Sequence, residues 1–322
     1  MKTAFTLLAA LAVASHAQAA FAQSYPTRTV RIIVPYAAGG NTDITARAIG
    51  SKLTDVFGQQ VIVDNRPGGA TNIGSELAAR AAPDGYTLFM GGASNAVNMS
   101  LYSKPPYDTM RYFAPITLCV KGANVLSIHP SLPVKTLKEL IALAKARPGQ
   151  LNFASSGIGS SNRMAGELLK VMAGINIVHV PYKGAALALQ AMLSGEVDMV
   201  TSTVPATIPL VNAGKIRALA VMAPTRVAAL PKVPTTAEAG MPELVVITWY
   251  GLFAPAGVKP EIIERLNAEV VRLMNAPETR SRLAKVELDA ATSTPAEFAK
   301  FVRAESEKWA RVIKDANIRV QQ

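Results

Sequence analysis

A chain of 322 residues that is 50% apolar, 17% charged and only 6% aromatic has the composition of a well-buried α/β protein, which excludes disordered and fibrous classes. Its formal net charge of +11 invites a nucleic-acid reading, but the lysines and arginines are scattered, with no basic run and no aromatic-interleaved stripe. The charge is therefore read as a diffuse positive field favouring acidic solutes and anionic surfaces, with no nucleic-acid partner.

In chain order, Lys2 is followed by the apolar run FTLLAALAVA at 5–14 and by small-x-small sites at 17–19 and 20–22. This pattern predicts a secretory signal peptide over residues 1–22, cleaved after Ala19 or Ala22. Its apolar core is too short for a stable anchor, and no later run of about 18 apolar residues follows. The expected product is exported, soluble, and without a lipid-bearing N-terminal cysteine. Its length of about 300 residues suffices for two domains of about 150 each.

The stretch VRIIVPYAAGGNTD at 30–43 carries the most information. Its β-branched run predicts a strand buried on both faces. Asn41 and Thr42 are good N-cap types, so a helix is expected from 41 to 57. Ala38, Gly39 and Gly40 then lie beside unpaired helix N–H groups, where small side chains and the helix dipole favour an anion. The same stretch equally fits a glycine turn used for packing.

Further strands are predicted at QVIVDNR (from Gln60), YTLFMGG (Tyr86), ITLCV (Ile116), NVLSIHP (Asn124), QLNFASSG (Gln150), NIVHVPY (Asn176), VDMVTST (Val197), IRALAVMA (Ile216) and VVITWYGLFAP (Val245). Helices are predicted over 71–81, 136–146, 161–173, 185–193 and 205–213, which is βαβ logic with mostly parallel sheets. Cys119, the sole cysteine, precludes an intrachain disulfide and reads as a small buried hydrophobe. The polar pair Ser94 and Asn95 is expected on a loop, either at the surface or lining a pocket. LNFASSGIGSSNRMAGE at 151–167 repeats the design of the first stretch: apolar strand, Gly/Ser turn, helix. There Ser155, Ser156, Ser160, Ser161 and Asn162 offer groups around a second helix start. Arg163 can project toward an anion or into solvent. Tyr182, Lys183 and Gly184 form another junction, with Tyr182 suited to a pocket wall. The C-terminal third is helical at 260–274 and 295–313, and is expected to pack back onto the first domain.

No catalytic constellation is legible: there is no GxSxG elbow, no Walker sequence and no complete dinucleotide fingerprint. His129 and His179 lie in no metal-spaced cluster and read as structural. No cofactor or metal is expected, and the chain is not read as an enzyme.

The ordered motifs VPYAAGGNTDITAR, DNRPGGATNIGSELAARAAPDGYTL, NFASSGIGSSNRMAGELL, VPYKGAALALQAMLSGEVDM, GKIRALAVMAPTR, VPTTAEAG and WYGLFAPAGV closely resemble the Bug-type solute receptors of tripartite tricarboxylate transporters, across essentially the whole mature chain. The resemblance implies a type II periplasmic binding protein fold: two α/β domains with a ligand cleft between them. The division expected is 23–123 and 247–322 for the first domain and 124–246 for the second. It also implies a small carboxylate trapped by hinge closure and held partly through waters. Carried onto this chain, it points to Tyr36, Ala38, Gly39 and Asp43 on one wall. Ser156, Gly157, Ser160, Ser161 and Tyr182 form the other, and Asn95, Arg163 and Ser202 complete the candidates. Many relatives have a histidine at the position of Arg163 and an aspartate at that of Ser202. The missing acid removes a partner for a ligand ammonium, so a non-amino mono- or dicarboxylate is expected. The implied partners are membrane permease subunits or, on a sensing reading, a signalling kinase; the receptor is expected to be a monomer.

Overall fold

The computed structural model describes residues 25–182, 184–285 and 287–318. The signal segment and Lys183 lie outside the described residues.

Three parallel strands open the chain. β1 (Val30–Val34) lies between β2 (Val61–Asn65) and β3 (Thr87–Gly92), and its residues Val30, Ile32, Ile33 and Val34 are fully buried. α1 (Asn41–Phe57) and α2 (Asn72–Ala79) cross between them. α3 (Ala93–Leu101) follows β3 without a break, and a short α4 (Thr109–Tyr112) precedes β4 (Phe113–Ile128).

β4 is the structural spine. The sequence predicts two strands, at 116–120 and from Asn124; the structure has one of 16 residues. Gly122 looks like a breaker, but it sits inside the sheet because a Cβ there would stand 2.7 Å from Leu288. As far as Ala123 the strand pairs antiparallel with β9 (Ile247–Pro255), and from Asn124 with β7 (Met199–Thr203). Beyond the switch lie β8 (Arg217–Val221), β5 (Asn152–Ser155) and β6 (Val178–Pro181). The strand order is β2-β1-β3-β9-β4-β7-β5-β6, with β8 and the two-residue β10 (Asp289–Ala290) added on β4. The sheet is therefore mixed where a mostly parallel one is predicted. β4 leaves the first half of the sheet and β9 returns to it, so these two must run in opposite directions.

Around this sheet pack α5 (Leu137–Ala146), α6 (Ser161–Ala173), α7 (Ala185–Leu193), α8 (Val204–Asn212), α9 (Pro260–Asn275), α10 (Pro277–Ala284) and α11 (Pro295–Asp315). α3 corrects the expected loop at Ser94 and Asn95. Most of its residues are buried, polar ones included, so it carries no amphipathic period to read. α11 begins at a Thr294–Glu297 capping box. It packs on α3 and β4 as expected, and also on α6 across the switch. Trp249 and Trp309 both donate their indole N–H to Glu305 Oε2, at 3.3 and 3.1 Å. Cys119 is fully buried in the core beneath α1 and α9, where desolvation pushes its thiol up to about 12.

Candidate functional site

The first wall is the β1–α1 junction. Residues 37–40 are exposed, and Gly39 sits at φ +83, a conformation glycine enters without steric cost. Asn41 and Thr42 are not the cap. Gly40 is, and having no side chain it leaves the first-turn N–H groups without a capping bond, open to an outside acceptor. Ala38 adds only a methyl to this surface.

Asp43 is 3% exposed. Its Oδ2 accepts the Gly39 N–H at 2.9 Å and Arg47 Nε at 3.0 Å. Burial alone would raise its pKa, but the bonds from Arg47, Gly39 and Asn65 outweigh that and hold the carboxyl below its usual range. An ionised Asp43 repels a ligand carboxylate. Its place is beneath the loop, fixing Gly39. Tyr36 donates its hydroxyl to Ser94 Oγ at 3.1 Å and meets the Tyr250 ring edge-on at 6.5 Å; burial raises its pKa.

The second wall is the β5–α6 junction. Gly157 has φ +139. Ser160 caps α6, accepting the Arg163 N–H at 3.2 Å and donating to Gly157 O at 2.7 Å. Ser156 Oγ is half-buried and donates to Asn162 Oδ1 at 2.6 Å. Ser161 Oγ lies 3.2 Å from Thr248 Oγ1.

Both helix starts converge on β9. Thr248 and Tyr250 are two residues apart, so they share one face of that strand, about 7 Å from each other. Thr248 touches Ser161 at the start of α6; burial raises the Tyr250 pKa, and Thr42, at the start of α1, is the neighbour that moderates the rise, which places the Tyr250 hydroxyl beside that helix start. The walls also meet at Gly159, where a Cβ would collide with Asn98 Oδ1. Asn98 in turn donates to Ala70 O at 2.8 Å, holding a turn in which Gly68 to Thr71 all have positive φ.

Besides Asp43, four predicted site residues are placed elsewhere. Asn95 is wholly buried; its amide serves Gly92 N–H, Ser75 and Tyr107, so it braces α3. Arg163 turns back along α6, with Nη1 on Ile158 O at 3.2 Å and Nε at 3.5 Å from Glu167, so its guanidinium closes the loop on itself. Tyr182 points its hydroxyl at Glu196, 2.8 Å away on the exposed side. Ser202 is 1% exposed with no partner for its Oγ among the described residues. Strand alternation puts it on the opposite sheet face from Thr201, whose hydroxyl bonds Asn162 O.

Sequence reading missed Asn124, Thr248, Tyr250 and Asn98. Asn124 and Thr248 are isolated polar residues in apolar strands, a pattern that calls for an internal partner. It also missed the contact of Ser155 Oγ with His179 Nε2 at 2.7 Å. Desolvation, then Arg163 and Lys170, lower the His179 pKa to about 3, and Ser155 is fully buried. This pair is a structural brace, too weakly basic and too enclosed for nucleophilic work at neutral pH. Among the described residues no group of three or more His, Cys, Asp or Glu converges as a metal site, and no helix is long and apolar enough to cross a membrane.

Residues 45–318 match the model of the tripartite tricarboxylate transporter family receptor. The chain is 35% identical over 320 residues to the UPF0065 protein in the tcbD-tcbE intergenic region of Pseudomonas sp., covering 98% of this chain and 95% of that one. It is 34% identical to protein BugT of Bordetella pertussis, covering 97% and 96%. Among solved structures it resembles R. palustris Rpa4515 with adipate, at 35% identity and TM-score 0.85 over 92% of this chain and 100% of that one. MatC of Rhodopseudomonas palustris with bound malate gives 32% identity and TM-score 0.81 over 90% and 100%, and periplasmic binding protein BugD gives 30% and 0.82 over 92% and 100%. The two-domain α/β periplasmic binding protein fold is thereby shown, and the chain belongs to the tripartite tricarboxylate transporter family of receptors.

Proposed function

We propose that this receptor works outside the cytoplasm, closes its two lobes on a small non-amino carboxylate, and delivers it to the permease of a tripartite transporter without chemically changing it. The observation that carries the reading is the convergence of two helix N-termini on Thr248 and Tyr250 of β9. Two sets of backbone N–H groups and two positive dipole ends then face one anion, each contributing where water is displaced. Gly39, Ala38 and the first-turn amides of α1 form one wall, and Ser156, Gly157 and Ser161 the other. The lobes are residues 25–123 with 247–318, and 124–246, hinged where β4 changes partner. Adipate and malate in the structures of two relatives support a dicarboxylate, and Ser202 offers no charge to hold an ammonium.

Calorimetric titration with adipate, malate, their monocarboxylate counterparts and matching amino acids tests the assignment. At least one non-amino acid should bind saturably, and at a hundredfold excess over Kd should stabilise the fold by about 2.7 kcal/mol. Binding confined to an amino acid, with its des-amino counterpart inert, contradicts it.

A further inference from the structure

The switch point of β4 is tied to the second wall by a continuous chain of buried polar side chains. Asn124 is the first residue of β4 paired with β7, and it is fully buried. Its Nδ2 donates to Val246 O at 2.8 Å, immediately before β9. That carbonyl can only accept, which fixes the orientation of the amide. Asn124 Oδ1 accepts from Asn162 Nδ2 and from Thr248 Oγ1, each at 3.2 Å. One side chain thus spans both connecting strands and the first turn of α6.

Proton counting extends the chain. Thr248 has one hydroxyl proton, committed to Asn124, so the Ser161 hydroxyl must be the donor in its 3.2 Å contact with Thr248. Ser156 likewise commits its single proton to Asn162 Oδ1 at 2.6 Å. Both wall serines therefore point their protons inward, toward the switch point. A carboxylate that accepts a bond from Ser156 or Ser161 must take that proton from this chain, because a hydroxyl cannot donate twice.

We propose that Asn124 is a positioning residue that couples occupancy of the serine wall to the hinge: withdrawing a Ser156 or Ser161 proton frees an acceptor on Asn162 or Thr248, and the bonds these make to Asn124 readjust across both connecting strands. The coupling rests on the carboxylate reading for its trigger, while the relay itself rests only on these side-chain contacts. Buried, fully connected networks of this kind respond as a unit, which gives the two-state element that hinge closure requires.

Hydrogen exchange on the ligand-free mature protein tests the relay. Ser156→Ala should speed exchange at residues 122–125 and 246–249 at least threefold. Ser194→Ala, which removes a hydroxyl from the same lobe well outside the relay, should leave those segments unchanged. Unchanged exchange in Ser156→Ala, or equal acceleration in both variants, overturns the proposal. In adipate titrations, Asn124→Ala should weaken binding at least tenfold with the fold intact by circular dichroism. Ser156→Ala should then cost less on that background than alone, and strictly additive losses count against coupling. A wild-type protein that ignores adipate and every other carboxylate would sink the ligand reading, while the exchange comparison would still decide the relay.

Discussion

At the scale of single residues, the site is made more by what is absent than by what is present. Gly40 as cap leaves donors unclaimed, Gly39 turns the chain at φ +83, and Gly159 lets the lobes approach at Asn98. Gly159→Ala should leave the unfolding midpoint nearly unchanged, because the added methyl meets the opposite lobe and not its own core. Binding should weaken by about 1–3 kcal/mol, the usual penalty for overpacking a close contact. An unaltered Kd in calorimetry would show that Gly159 and Asn98 need not meet in the bound state. The small residues of this wall were legible in the sequence as a glycine-rich strand-to-helix turn, a pattern that an anion site and a packing turn share. The roles of Asp43, Asn95, Arg163 and Tyr182 were not. A polar side chain at a junction can face a ligand or its own scaffold, and only the positions of Gly39, Tyr107, Glu167 and Glu196 decide between the two.

At the scale of elements, the strands and helices with a clear period were readable, while the full set of partners of those that touch both lobes was not. β1, α1, α6 and α11 follow their patterns closely, whereas α3 is polar and buried together, and β4 passes through Gly122 where a break was expected. α11 was expected against the first lobe and packs there; Trp309, Val312 and Ile313 also share one core cluster with Phe153 and Met164 of the second. Its carboxylate at Glu305 gathers both indole N–H groups and Lys308 Nζ, the last at 2.7 Å. Glu305→Ala strands two buried donors, which should cost about 2–5 kcal/mol in urea unfolding. Glu305→Gln keeps an acceptor oxygen and should lose less. Because these are the only two tryptophans, both changes should also shift the fluorescence maximum. Equal stability in Glu305→Ala and wild type would mean the indoles are satisfied otherwise.

At the scale of the whole molecule, the proposed two-lobe division puts the two helix starts on opposite lobes, and among the described residues β4 and β9 are the strands that run from one lobe to the other. A net charge of +11 gives a diffuse positive field that favours acidic solutes, an effect that weakens as salt rises. The order of motifs along the chain made the two-lobe plan legible. The antiparallel course of β4 and β9 was not, since direction of pairing leaves no mark in a strand apolar on both faces. The central claim is that one carboxylate lies between the α1 and α6 starts, and a crystal structure of the protein with adipate tests it most directly. A carboxylate should lie within hydrogen-bond reach, direct or through one water, of backbone N–H groups at 39–42 and of Ser156 or Ser161. Adipate bound elsewhere, or held by one lobe alone, would contradict the account.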